Sequence, residues 1–128
     1  MNTKFHPDLQ AIFDYLLSES LHIEYTSTTR EIHDHIRIYR ELAESRGEKL
    51  DWDSIPWKSR HLPTHKTPFC RAADIRVFDG QRKLTGQEIA ETIVRRFDVT
   101  QFPIGLGIAS TWCHVDVDRR RYTQWTYG

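Results

Sequence analysis

Apolar residues recur at helical spacing in three stretches of the chain, and each stretch predicts an amphipathic helix. The first begins at Pro7, which suits the opening turn of a helix, and extends to about Ser20. The second extends from about Thr29 to Arg46, after which Gly47 can close the helix in a left-handed cap. The apolar positions of these two helices are Leu9, Ile12, Phe13, Leu16 and Leu17, then Ile32, Ile36, Tyr39, Leu42 and Ala43.

A third helix is predicted after Thr85, because Thr85 and Glu88 have the spacing of a capping box. In that motif the threonine side chain accepts an early backbone N–H, and the glutamate reaches back to the cap. Pro103 lies beyond the end of this helix. Its predicted core-facing residues are Ile89, Ile93, Val94 and Phe97.

Strand-like alternation or composition marks residues 21–27, 72–78, 111–117 and 122–127, whereas residues 104–109 are punctuated by glycine and predict no definite element. Residues 48–67 contain prolines, and Trp52 and Trp57 are expected to pin down this long, irregular loop. Helices and strands mix without a βαβ rhythm. We therefore expect one α+β domain over residues 1–128, with a small, mostly antiparallel sheet and about three flanking helices.

Composition narrows the class of protein. The chain has 128 residues, the size of one domain, and its 18 basic residues balance 18 acidic ones, which favours neither nucleic acid nor an anionic membrane as the main partner. No secretory signal or apolar run of roughly 18 residues is apparent, so we expect a monomer made as a soluble, cytoplasmic product. Cys70 and Cys113 are expected to be small buried hydrophobes, with a disulfide between them left open.

Two of the predicted strands carry polar residues that need an explanation. Side chains two apart on a strand share a face, so His114 and Asp116 point to the same side. Asp74 lies on an otherwise apolar strand, and a buried, unpaired carboxylate costs several kcal/mol. Asp74 therefore needs either a metal ion or a hydrogen-bonded cation such as Arg30 or Arg76, in which case His114 would be an ordinary core histidine.

A third polar segment strengthens the metal hypothesis. Residues 59–62 read Ser-Arg-His-Leu and place His61 ahead of Asp74 in the chain. Neutral imidazole and carboxylate are standard zinc ligands, and a set of three that leaves one position to water is typical of catalytic rather than structural zinc sites.

The order of these motifs resembles a known family. Thr-Ser-x-x-Arg, then Ser-x-His, then Ala-x-Asp-Ile and a glycine-rich approach to His-Val-Asp resemble the zinc D-Ala-D-Ala carboxypeptidases and the phage endolysin-type L-alanyl-D-glutamate peptidases, which share a Hedgehog/DD-peptidase fold. The resemblance spans most of the chain. It implies that His61, Asp74 and His114 bind Zn²⁺ and that Arg30 contacts a carboxylate or the backbone of the substrate.

The chain departs from the family pattern between the first two implied ligands. The family motif is Ser-x-His-x-x-Gly-x-Ala-x-Asp, whereas residues 62–73 intervene here and Cys70 stands in place of the glycine. A longer loop costs little closure entropy if its ends stay fixed, so both ligands can be retained. The longer loop introduces His65 as a rival ligand, but His61 matches the family motif better.

A further departure concerns the general base. Many family members have a carboxylate three residues before the last zinc histidine, where this chain has Thr111. Asp116 is the natural substitute, either as the catalytic base that accepts the proton of the attacking water or as a residue that orients His114. Trp112 is a candidate for substrate contact, and Trp125 is a second one. The charged run at residues 118–121 predicts a solvated turn.

These features imply an enzyme that uses zinc to hydrolyse an amide bond in a peptidoglycan stem peptide, as a D,D-carboxypeptidase or an L,D-endopeptidase. Such a domain suits a phage or prophage lysis enzyme that acts on the cell wall after release. Which bond is cut stays open. Two alternatives remain at this point: a catalytically inactive, zinc-containing binding module, and a metal-free phage structural protein of the same fold.

Overall fold

The computed structural model describes residues 5–28, 32–56 and 70–127, apart from the side chains of residues 32–34. Within these ranges the chain forms three α-helices and six β-strands. The helices are α1 (Pro7–Ser18), α2 (Ile32–Ser45) and α3 (Gly86–Arg96), and a short 3-10 helix spans Trp52–Ser54. The strands are β1 (His22–Ser27), β2 (Ala72–Asp79), β3 (Arg82–Lys83), β4 (Gly105–Ile108), β5 (Cys113–Asp116) and β6 (Thr123–Thr126).

All six strands belong to one sheet with the order β1-β2-β5-β4-β6, and β3 forms a hairpin with the end of β2. Every pairing is antiparallel except the one between β4 and β6, which is parallel. The predicted α+β class with a mostly antiparallel sheet is therefore confirmed. The sequence pattern predicted neither β3 nor β4, and β4 lies between β5 and β6.

Local capping explains where the helices begin. At α1 the ring of His6 accepts a hydrogen bond from the backbone N–H of Asp8 at 3.1 Å. At α3 the predicted capping box is present: the backbone N–H of Glu88 donates to Thr85 Oγ1 at 3.1 Å, and the backbone N–H of Thr85 donates to Glu88 Oε1 at 3.0 Å. These bonds satisfy N–H groups that have no partner inside the helix.

Helices α1 and α3 cover one face of the sheet and form the main core with it. Alternate residues of the central strands point to this face and are buried, because side chains two apart on a strand share a side. The buried cluster comprises Leu9, Ile12, Phe13 and Leu16 of α1, Ile89, Ala90 and Ile93 of α3, and Ile75, Val77, Leu106, Ile108, Cys113 and Val115 of the sheet.

Three predictions about apolar side chains are wrong. Val94 is 36 % exposed, because the buried stripe of α3 runs through Ile89 and Ile93, and the next residue lies about 100° further around the helix. Leu42 is 47 % exposed beside the buried Ala43 for the same reason. Leu17 is 50 % exposed beside the buried Leu16. Trp52 is 54 % exposed and Trp57 lies outside the described residues, so their role in the long loop stays a prediction.

Both cysteines are buried and free, which confirms their interpretation as small hydrophobes and answers the question of a disulfide. Burial raises the pKa of the Cys113 thiol to about 12, so this thiol stays neutral at physiological pH. In the part of the chain that the structure describes, no helix is long and apolar enough to cross a membrane.

Candidate metal centre

The candidate site lies on the sheet face opposite the α1 and α3 core. The pairing register places one residue from each of β1, β2, β5, β4 and β6 in a row across this face. Asp74 lies opposite His114 in the β2 and β5 pair, and His114 lies opposite Gly107 in the β5 and β4 pair. Gly107 in turn lies opposite Trp125, while Ser27 lies opposite Asp74 at the other side. The predicted sharing of a face by His114 and Asp116 follows from the same register.

The ring of His114 lies between two carboxylates. Its Nδ1 is 2.8 Å from Asp74 Oδ1, and its Nε2 is 2.7 Å from Asp116 Oδ2. The side chains of Asp74 and His114 are 18 % and 12 % exposed, which leaves a narrow access to their contact, whereas Asp116 is 2 % exposed. The Nδ1 side of the ring is thus the more open side, and the Nε2 side is closed.

Asp116 is held from its other side by Arg119. The Nε of Arg119 donates to Asp116 Oδ1, and its Nη2 donates to Asp116 Oδ2 at 2.7 Å. The chain reaches this position through a tight turn in which Asp118 has a φ of 66°. The prediction of a solvated turn is therefore wrong for Arg119, whose side chain is 20 % exposed, although Arg120 and Arg121 are exposed.

These contacts set the charges of the site. Burial alone would lower the pKa of His114, but hydrogen bonds to Asp116 and Asp74 outweigh burial, and the pKa lies above its ordinary value. Burial alone would likewise raise the pKa of Asp116, but the hydrogen bonds from Arg119 and His114 lower it to about 2. At neutral pH Asp116 is therefore an anion.

The two glycines of β4 make room for these side chains. A Cβ at Gly105 would collide with Arg119 Nε and Asp116 Oδ1, and a Cβ at Gly107 would lie 2.7 Å from Trp125 Nε1. The sequence offered a signal for this arrangement, since Gly105 and Gly107 alternate with the buried Leu106 and Ile108. Glycine at every second position of a strand leaves one face without side chains, so that side chains of neighbouring strands can lie close to its backbone.

Of the other residues predicted to act with Asp74, Arg76 is described by the structure, whereas Arg30, His61 and His65 are not. Arg76 forms an ion pair with Glu24 at 3.1 Å. Arg30, His61 and His65 lie outside the described residues, so neither the predicted substrate contact nor the predicted third ligand has a described position. No group of three or more histidine, cysteine, aspartate or glutamate side chains that could hold a metal ion is found among the described residues.

The Asp74 and His114 pair nevertheless has the chemistry of two zinc ligands. Two atoms bound to one tetrahedral zinc ion at about 2.0–2.1 Å lie about 3.3 Å apart. The 2.8 Å between Asp74 Oδ1 and His114 Nδ1 is a hydrogen-bond distance and is shorter than this value, so the two side chains would move slightly apart to share one ion. The carboxylate that faces the other ring nitrogen is also the usual partner of a metal-binding histidine. These residues fit a zinc centre that takes at least one further ligand.

Aromatic side chains flank the candidate centre. The ring of Trp125 lies 5.4 Å from that of His114, and the ring of Trp112 lies 4.9 Å from that of Tyr127. Trp112 is half-buried, and Tyr127 is 46 % exposed. The predicted substrate contact Trp112 therefore lies just before the strand that carries His114, within an aromatic group that reaches the surface.

A cavity of about 620 Å³ lies away from this centre, between α1, α3 and the β2–β3 hairpin. Its charged lining includes an Arg82–Glu88 ion pair of 2.9 Å, which also belongs to the cap of α3. Its lining has no imidazole.

Comparisons with protein-family models, with curated proteins and with solved structures find no match for this chain.

Proposed function

We propose that this protein is a zinc-dependent peptidase that hydrolyses an amide bond in peptidoglycan stem peptides, as a D,D-carboxypeptidase or an L,D-endopeptidase, on a Hedgehog/DD-peptidase fold. The observation that carries the proposal is the direct opposition of Asp74 and His114, with 2.8 Å between a carboxylate oxygen and a ring nitrogen. The two residues come from separate motifs, forty positions apart, and meet on a half-open sheet face.

The order of motifs and the architecture support the same proposal. The mixed α+β topology is consistent with the fold that the motif order implies. Asp74 and His114 are the second and third ligands of the implied zinc set, and His61 would be the first. Action on the cell wall after release from a phage- or prophage-bearing cell is part of this proposal.

Zinc bound by these residues would polarise the scissile carbonyl and activate water for attack. The protein's own residues would supply the rest. Arg30 would hold a substrate carboxylate, because a guanidinium donates two parallel hydrogen bonds to such a group. Trp112 would contact the substrate beside His114, where its half-buried indole offers an apolar surface.

Asp116 has two candidate roles, and its surroundings favour one of them. A general base needs a carboxylate that can reach the attacking water, but Asp116 is 2 % exposed and both its oxygens accept hydrogen bonds from Arg119. It also faces the ring nitrogen of His114 that points away from Asp74. We therefore favour the orienting role, and catalysis by Asp116 as the base stays a prediction.

The experiment that tests the proposal measures zinc content and hydrolysis in one preparation. The purified protein should contain about one zinc per chain and should release new amino groups from purified peptidoglycan. His114→Ala should lose both properties, whereas Arg120→Ala, an exposed neighbour, should keep both. A protein that takes up no zinc even when zinc is supplied in excess would overturn the proposal.

A second candidate function, a zinc-containing binding module without hydrolysis, is favoured by one observation. Asp116 is the only substitute that the sequence interpretation found for the family's base, and its contacts with Arg119 and His114 occupy it. Stoichiometric zinc and retention on peptidoglycan, with no new amino groups released, would select this module over the enzyme.

A further inference from the structure

We infer, on the basis of the proposed function, that Arg119 is a positioning residue of the metal centre: it fixes Asp116, and Asp116 fixes the ring of His114. No sequence motif identified Arg119, which lies in the charged run after β5. Two contacts connect Arg119 to His114: one from Arg119 to Asp116, and one from Asp116 to His114.

The first step is the contact between Arg119 and Asp116. Two donors of one guanidinium, Nε and Nη2, each bind a different oxygen of the carboxylate. Such a two-point contact fixes the plane of the carboxylate as well as its position. A lysine offers a single ammonium group and cannot fix the plane in this way.

The second step is the contact between Asp116 and His114. Asp116 Oδ2 lies 2.7 Å from His114 Nε2, so the carboxylate accepts a hydrogen bond from Nε2–H. With Nε2 held there, Nδ1 faces Asp74 Oδ1 at 2.8 Å, and once Nδ1 gives up its proton its lone pair would point toward a metal ion shared with Asp74. Rotation of the ring by half a turn about the Cβ–Cγ bond would put Cδ2 in the place of Nδ1 and Cε1 in the place of Nε2, and would break both contacts.

Arg119 is itself held in place by the strand beneath it. Gly105 lies opposite Asp116 in the β4 and β5 register and has no side chain to occupy the space above it. The guanidinium also lies 5.3 Å from the ring of Trp125, within the range of a cation–π contact. The segment that leads to Arg119 is tied to the residue just before β2 by the 3.4 Å contact between Arg71 and Asp118.

The test compares zinc affinity in Arg119→Ala, Arg119→Lys and the exposed control Arg120→Ala by competition with a chromophoric chelator. Loss of an outer-shell partner weakens metal binding by about 10- to 100-fold. We expect a loss of that size in Arg119→Ala, a smaller loss in Arg119→Lys, and wild-type affinity in Arg120→Ala. Wild-type affinity in Arg119→Ala would overturn the inference.

A double-mutant cycle with Asp116→Asn shows whether Arg119 acts through Asp116. If it does, Arg119→Ala should add little to the loss already caused by Asp116→Asn. An equal loss in both backgrounds would mean that Arg119 acts by general charge or stability, and would overturn the inference.

Nuclear magnetic resonance of the ring nitrogens of His114 in chelator-treated protein separates this inference from the proposed function. Arg119→Ala should change the protonation pattern of Nε2 and Nδ1, and Arg120→Ala should not. If wild-type protein binds no zinc, the proposed function fails, and the metal part of the inference fails with it. An unchanged ring signal in Arg119→Ala would overturn the positioning role itself.

Discussion

The two faces of the central strands differ sharply although they share one backbone. On the face covered by α1 and α3, Ile75, Leu106 and Val115 have no exposed surface. On the opposite face the same strands present Asp74, His114 and two glycines. The covered face is stabilised by apolar burial, which is not directional, whereas the open face relies on charged contacts that depend on distance and angle. The covered face therefore stabilises the fold, and the rigid backbone holds the charged residues of the other face in position.

The charges of the open face are stable only as a group. Removing one partner of a buried ion pair is strongly destabilising because the other charge is left without compensation. Here Asp116 is shared between His114 and Arg119, and His114 is shared between Asp116 and Asp74. Variants of the covered face should therefore lose stability without losing zinc, whereas variants of the charged face should lose zinc and some stability as well.

The largest effect is expected for His114→Ala. Outer-shell partners of a metal are worth about 10- to 100-fold in affinity, so loss of a direct ligand should weaken zinc binding by more than about 100-fold. Equilibrium dialysis against zinc measures this directly. Zinc bound by the variant at wild-type affinity would remove His114 from the ligand set.

Ile75→Ala tests the covered face beside Asp74. The side chain is fully buried in the core, so its truncation should cost about 2–5 kcal/mol of unfolding free energy, measured by urea denaturation. The zinc dissociation constant of the folded fraction should stay within about threefold of wild type, because the Ile75 side chain lies on the face opposite to Asp74 and His114. A loss of zinc as large as that in His114→Ala would contradict the separation of the faces.

Gly105→Ala and Gly107→Ala form a matched pair on β4. Both overpack the open face, which typically costs about 1–3 kcal/mol of stability. A Cβ at Gly105 displaces Arg119 and Asp116, so zinc binding should weaken by about tenfold, as for loss of an outer-shell contact. A Cβ at Gly107 displaces Trp125 and Tyr127 instead, so its effect on zinc affinity should be smaller. Equal dissociation constants for the two variants would show that Gly105 has no special relation to the centre.

The sequence could predict whatever depends on local periodicity. Helical spacing located α1 and α3, the Thr85 and Glu88 pair located a cap, and alternation placed His114 and Asp116 on one face. β4 was missed because its Gly-Leu-Gly-Ile sequence has weak strand propensity, and its strand form depends on pairing with β5 and β6. The local sequence pattern does not show which strands pair with one another.

The candidate site was predictable in its residue types but not in its contacts. Asp74 and His114 meet because of the register between β2 and β5, which is set by long-range packing. Arg119 was missed because its contact with Asp116 depends on a backbone turn with a positive φ at Asp118, an uncommon conformation for a residue other than glycine. His61 and Arg30 stay predictions, since they lie outside the described residues.

The smallest expected effect is on the pH dependence of stability in chelator-treated protein. The folded pKa of His114 is raised above its ordinary value of about 6.5, because contacts with Asp116 and Asp74 outweigh burial. Its contribution to stability is therefore fully present below about pH 6.5 and is lost as the pH rises through the folded pKa. Urea denaturation of wild type and His114→Gln between pH 6 and pH 9 measures this, because the other histidines are common to both proteins. The advantage of wild type should shrink as the pH rises, and a constant advantage would contradict a raised pKa for His114.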